Sequence, residues 1–164
     1  MTGPTTNLRI LKRSRNIPLP GDVFVMQLPD EDFIFGRVIE ADIQDPTRAP
    51  MPGSYLIYVY TPRRPTMEPP FQELTPRQLL ISPMFINRMP WTKGFFEKVA
   101  HAELGPGDRL ARHCFWSAGR QTYVDEFRNP LVQRSEPCGD WALSSYRLLD
   151  DRVSDALGMP RAPE

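Results

Sequence analysis

Hydrophobic positions gather in two runs, set off by polar ones, between residues 20 and 40, where the chain reads P-G-D-V-F-V-M-Q-L-P-D-E-D-F-I-F-G-R-V-I-E. Two apolar runs, 23–28 and 33–39, flank the polar break Pro29-Asp30-Glu31-Asp32. Strand side chains alternate between faces with period two. Phe24, Met26 and Leu28 therefore oppose Val23 and Val25, while Phe33, Phe35 and Arg37 oppose Ile34, Gly36 and Val38. The pattern predicts an antiparallel hairpin whose turn exceeds two residues. Gly36, alone among bulky neighbours, predicts a bulge or sharp bend.

The remaining elements follow from the same reading. Segment 54–61, S-Y-L-I-Y-V-Y-T, has no polar face and predicts a central strand covered on both sides. Segment 62–70, P-R-R-P-T-M-E-P-P, predicts a stiff exposed loop. Thr75 and Pro76 suit a helix N-cap and first helical position, which predicts a short helix over 76–80. Segment 91–102 reads as a strand bent at Gly94, and 123–127 as a short strand. The class of Cys114-Phe115-Trp116 stays open, and Cys138-Gly139-Asp140-Trp141 reads as a turn. Leu148, Leu149, Val153, Ala156 and Leu157 recur at helical spacing, with Gly158 and Pro160 to end a helix over 148–157.

Composition sharpens this picture. The 164 residues suit one domain, and 40% hydrophobic content supports a packed core. The 19 prolines exclude long helices and favour short elements joined by ordered loops. The expected architecture is α+β: a β-rich single domain, with a curved antiparallel sheet or a partly open small barrel and one or two short helices. Residues 17–160 form the domain. Residues 1–16 form a flexible or edge arm that starts with a disordered tail over 1–6 and carries Arg9, Lys12, Arg13 and Arg15.

Twenty basic and twenty acidic residues leave no net charge, which argues against a general nucleic-acid binder. No window approaches the roughly 18 apolar residues of a membrane span. Two cysteines without a leader suggest reduced thiols and a cytoplasmic location.

Candidate chemistry is sparse. His101, His113, Cys114 and Cys138 are metal-ligating types, but without the close ligand pairs of structural zinc sites. A Cys–His nucleophile would need His101 to approach a thiol in space, since neighbours His113 and Cys114 on a strand face opposite ways. The carboxylate pairs Glu31/Asp32, Asp125/Glu126 and Asp150/Asp151 are sequence neighbours in loops or at element ends, unlike acid–base pairs set across a cleft. The helix dipole alone accounts for Asp150 and Asp151. The Gly105-Pro106-Gly107-Asp108 turn lacks the Lys-Ser/Thr of a phosphate loop. The three tryptophans and five tyrosines could stack on bases, but core packing explains them first. These residues point to no enzyme, no metal and no cofactor.

The G-D-V-F…F-G-R-V hairpin, the 55–60 strand, the 86–96 segment and the closing L-S-S-Y…L…A-L-G together resemble the immunity protein 26 family of bacterial polymorphic toxin systems. The resemblance spans about residues 17–158 and implies a cytoplasmic protein that binds a cognate toxin domain and blocks it. Such an interface needs a few arginine or aromatic anchors. The candidates are Arg37, Arg63, Arg64, Trp91 and Trp116. A similar G-D-V hairpin opens small β-barrel ribonuclease toxins, and that alternative requires Arg37 in a basic cleft. A nucleic-acid-binding module using the 9–15 arm is the third reading.

Overall fold

A computed structural model describes residues 6–163. The segment 1–5, most of the expected disordered tail, lies outside the described residues. Among the described residues, nine strands and two α-helices run in the order β1 (Asp22–Gln27), β2 (Phe33–Ile43), β3 (Ser54–Arg64), β4 (Met84–Ile86), α1 (Met89–Thr92), β5 (Glu97–His101), β6 (Cys114–Ser117), β7 (Thr122–Val124), β8 (Cys138–Asp140), β9 (Leu143–Ser144) and α2 (Tyr146–Ala156). A six-stranded sheet is ordered β5-β1-β2-β3-β4-β9, and a three-stranded sheet β7-β6-β8. Both sheets are open and mixed, since β9 and β8 join in parallel. The fold is α+β and mostly sheet.

The expected antiparallel β1–β2 hairpin forms, with Val23 opposite Arg37 and Val25 opposite Phe35. Its turn closes through Leu28 N–H to the Asp32 carbonyl, and Glu31 takes a positive φ of 76°. The β2–β3 ladder slips between Ile34 and Gly36, the expected irregularity. A Cβ on Gly36 would collide with the Phe24 ring and lie 2.9 Å from the Tyr58 carbonyl oxygen. Phe24 crosses the empty space above Gly36 and stacks on Phe96 at a centroid distance of 4.1 Å.

Alternation splits the core in two. Phe24, Met26, Ile34, Val38, Ile57 and Val59 point to the face covered by Trp91, Phe96 and the α2 residues Leu149 and Val153. Val23, Val25, Phe35, Ile39, Leu56, Tyr58 and Tyr60 point to the face covered by Phe115 and Val124 of the small sheet. Burying each such side chain contributes about 1.5–3 kcal/mol. Strand β3 lies inside the large sheet and is buried on both faces over Tyr55 to Tyr60, as its unbroken apolar run predicts.

Four local expectations are corrected. Segment 91–102 is not one strand. Pro90 sits at the start of a helical turn, Gly94 leaves it at φ +87°, and only Glu97–His101 pairs with β1. Segment 76–80 is a single 3-10 turn, Pro76–Gln78, because Thr75 makes no cap bond and Leu79 bridges Tyr60. The 123–127 strand stops at Val124, where the Asp125 carboxylate turns back to accept the Phe127 and Asn129 N–H groups, both at 2.9 Å. The 138–141 turn is instead strand β8, held in parallel against β6. Gly139 allows this, because a Cβ there would strike the Pro83 carbonyl.

The last helix matches its spacing, starting slightly earlier at Tyr146 with Ser145 as N-cap (Oγ to Leu148 N, 3.1 Å). Asp150 is not a helix-dipole residue. It is buried, and its carboxyl accepts Asn7 N–H and Leu8 N–H at 2.8–3.0 Å. The 7–14 segment continues along the core through Arg9 N–H to Gln27 O, Leu11 N–H to Gly94 O and Ser14 N–H to Trp91 O.

Candidate interaction surface

The small sheet and its preceding loop are fastened to the large sheet by a buried polar chain. Tyr58 projects from β3, and its Oη lies 2.6 Å from His113 Nε2. The same oxygen accepts Leu110 N–H at 3.0 Å. Glu126, beyond β7, accepts His113 N–H at 2.7 Å, and its Oε2 is 3.0 Å from Nδ1. A proton on Nδ1 serves Glu126 and leaves Nε2 to accept from the Tyr58 hydroxyl. Burial pushes the His113 pKa down, outweighing the upward pull of Glu126, and pushes Tyr58 up to about 12. Both groups are therefore neutral at pH 7. His113 is 4% exposed and its bonds join β3 to the loop before β6 and to Glu126 after β7, so the network braces the fold.

Above it lies a cavity of about 140 Å³ lined by Glu40, Arg48, Arg109, Leu110, His113 and Phe127, among others. Glu40 pairs with both Arg48 (3.3 Å) and Arg109. The Arg48 guanidinium sits 4.9 Å over the half-exposed Phe127 ring.

The five sequence candidates fall in different places. Arg37 is 5% exposed on β2 and donates to the Ala102 carbonyl at 2.6 Å, with Asp108 3.5 Å away. Trp91 is 3% exposed and packs against Phe24, Phe96 and Tyr55. Arg63 pairs with Asp30 and Asp32 beside the β1–β2 turn, and Arg64 pairs with Glu73. Trp116 is only partly buried, on the outer face of the small sheet.

That outer face gathers residues the sequence reading did not join. Phe115 and Val124 point inward, so their neighbours Trp116 and Tyr123, which are register partners, point outward. Their ring centroids are 5.0 Å apart. The Arg134 guanidinium lies 6.0 Å from the Tyr123 ring, and its Nε donates to Glu136 at 2.6 Å. Val132 is fully exposed nearby in sequence. Tryptophan, tyrosine and arginine are the types that dominate interface energetics. The signal available in the sequence was the Phe115-Trp116 alternation paired with Tyr123-Val124. It was hidden because the β6–β7 register depends on a turn with no standard hairpin dipeptide.

Among the described residues, no group of three or more His, Cys, Asp or Glu side chains could hold a metal ion, and no helix is long and apolar enough to cross a membrane. Fold and surface together define a small α+β domain with a rigidly backed aromatic and arginine face. The chain belongs to the immunity protein 26 family, whose model, described as Immunity protein 26, matches residues 19–124. No curated protein and no solved structure matches the chain. The matched segment runs from the turn before β1 to the end of β7.

Proposed function

We propose that this chain is an immunity protein that acts in the cytoplasm, without catalysis, by binding and neutralising the toxin domain encoded beside it. Family membership is the observation that carries the reading. The outer face of the small sheet, with Trp116, Tyr123 and Arg134, supplies the anchors. Arg63 and Arg64 lie about one-third exposed and form a second, peripheral contact. A stable complex buries about 1,600 Å² in total. The brace beneath the face supports binding because a preformed surface loses little freedom on docking.

The ribonuclease alternative needs Arg37 in an open basic cleft. Arg37 is instead buried and bonded to a carbonyl, so no observation favours that alternative.

Mixing the purified chain with the purified toxin domain in a calorimeter tests the proposal. The expected result is a stoichiometric complex that Trp116→Ala weakens at least about 30-fold, equivalent to about 2 kcal/mol. Absence of any heat or co-elution with the wild-type chain would remove the reading.

A further inference from the structure

Cys114 opens β6 and Cys138 opens β8, and the two are direct register partners in a parallel ladder. Neighbouring strands lie about 4.8 Å apart, inside the roughly 4.4–6.8 Å Cα window that a disulfide accepts. Partners in register project from the same face of the sheet, and the two Sγ atoms are 2.9 Å apart. The thiols face each other on adjacent strands, although 24 positions separate them in sequence.

Access is one-sided. Cys114 is buried, whereas Cys138 is partly exposed and lines a cavity of about 400 Å³. That cavity lies between the stretch leading into β4, with Leu80 and Pro83, and the α2 residues Arg152 and Asp155. It is large enough for a small thiol reagent.

We propose that Cys114 and Cys138 are an oxidisable pair that forms an intramolecular disulfide by exchange with a small-molecule disulfide entering through this cavity. The Cys138 thiolate attacks one sulfur of the reagent, forming a mixed disulfide and expelling one reagent thiolate. The Cys114 thiolate then attacks Cys138 Sγ and expels the second. The two protein protons end on the two released thiols, so two protein thiols and one disulfide give one protein disulfide and two small thiols. The bond closes the segment 114–138, which carries Trp116, Tyr123 and Arg134, and so fixes the ends of the outer face.

Burial, with the neighbouring Cys114 thiol adding to it, pushes the Cys138 thiol up to about 12. Little thiolate exists at neutral pH, so the exchange is slow there and quickens about tenfold per pH unit below that value.

The test is incubation of the purified full-length chain with oxidised glutathione at pH 7 and pH 9, followed by intact mass and non-reducing peptide mapping. The expected product has lost the mass of two hydrogens and yields a linked Cys114–Cys138 peptide. Its melting temperature rises by about 5–10 °C, and a reducing agent reverses the rise. Cys114→Ser is expected to stop at a glutathione adduct on Cys138, and Cys138→Ser to remain unmodified. Stable glutathione adducts on the wild type, intermolecular dimers, or two thiols persisting at pH 9 would overturn the proposal. An unmodified Cys114→Ser chain would overturn the assignment of Cys138 as the entry point. The wild-type mass and peptide map decide the main point whether or not the serine variants fold.

Discussion

His113 Nε2 stands 2.6 Å from the Tyr58 hydroxyl, which joins the residue before β6 to the middle of the six-stranded sheet. The bond carries the small sheet, because Glu126 on the far side of β7 grips the same imidazole through Nδ1 and the His113 backbone N–H. The hydroxyl thereby adds a polar tie to the apolar packing of Phe115 and Val124 beneath the outer face.

The neighbouring tyrosine provides an internal control. Tyr60 Oη is buried and meets no hydrogen-bond partner among the described residues. Tyr58→Phe strands His113 Nε2 and Leu110 N–H and is expected to cost about 1–3 kcal/mol. Tyr60→Phe is expected to cost less than about 0.5 kcal/mol. Urea denaturation of both variants checks the contrast, and equal losses would contradict the brace.

The imidazole also makes stability depend on pH. Burial lowers the folded His113 pKa below its ordinary 6.5. Between the folded value and 6.5 the unfolded chain binds more protons than the native one, so stability rises with pH in that window. The contribution is fully present above about 6.5 and is lost as pH falls through the folded value, by at most about 1.4 kcal/mol per unit. Thermal melts from pH 7.5 to 5 are expected to fall more steeply for the wild type than for His113→Gln. Parallel profiles would assign the pH response to other groups.

Asp150 secures the other end of the chain. Burial pushes its pKa up, although the Asn7 and Leu8 N–H donors pull the other way. Asp150→Ala leaves both donors without their acceptor and is expected to cost about 2 kcal/mol. It is also expected to release the 7–14 segment. Limited trypsin digestion checks this: cleavage at the exposed Lys12, Arg13 and Arg15 is expected to accelerate in the variant.

Gly36 tests the hairpin. A Cβ meets the Phe24 ring and the Tyr58 backbone, and backbone cannot step aside as a flexible side chain can. Gly36→Ala is expected to destabilise by about 2–3 kcal/mol, as overpacking a filled core does. A melting temperature equal to wild type would contradict the packing described.

Strands β1, β2 and β3 of the large sheet were legible in sequence because local patterning governs them, whereas β4 and β9 were too short to read as strands and β5 was read too long. Val23 to Val25, Phe33 to Phe35 and Tyr55 to Tyr60 each declare two faces, and Gly36 declares its slip. The small sheet was not legible, since its strands are short and its β6–β8 pairing is parallel and remote in sequence. Nothing local tells Cys138-Gly139-Asp140 that it will find Cys114 rather than turn. Asp150 misled for a related reason: a carboxylate near a helix start has a sufficient local explanation, and its backbone partners lie at the opposite end of the chain. Among the candidate anchors, core packing was the first explanation for Trp91 already in the sequence, whereas the burial of Arg37 depends on its bond to the Ala102 carbonyl, remote in the chain. Trp116 was named as a candidate by its residue type and Tyr123 only within the wider aromatic set; their pairing, and Arg134 beside it, emerged from the fold.

The most direct test of the proposed toxin neutralisation through the small sheet's outer face is bacterial growth during induction of the cognate toxin domain that the proposal requires. Co-expression of the wild-type chain is expected to restore growth. A Trp116→Ala/Arg134→Ala double variant, accumulating to the same level, is expected not to. Growth arrest in the presence of the wild-type chain would contradict the immunity function, and full rescue by the double variant would contradict the surface assigned to it.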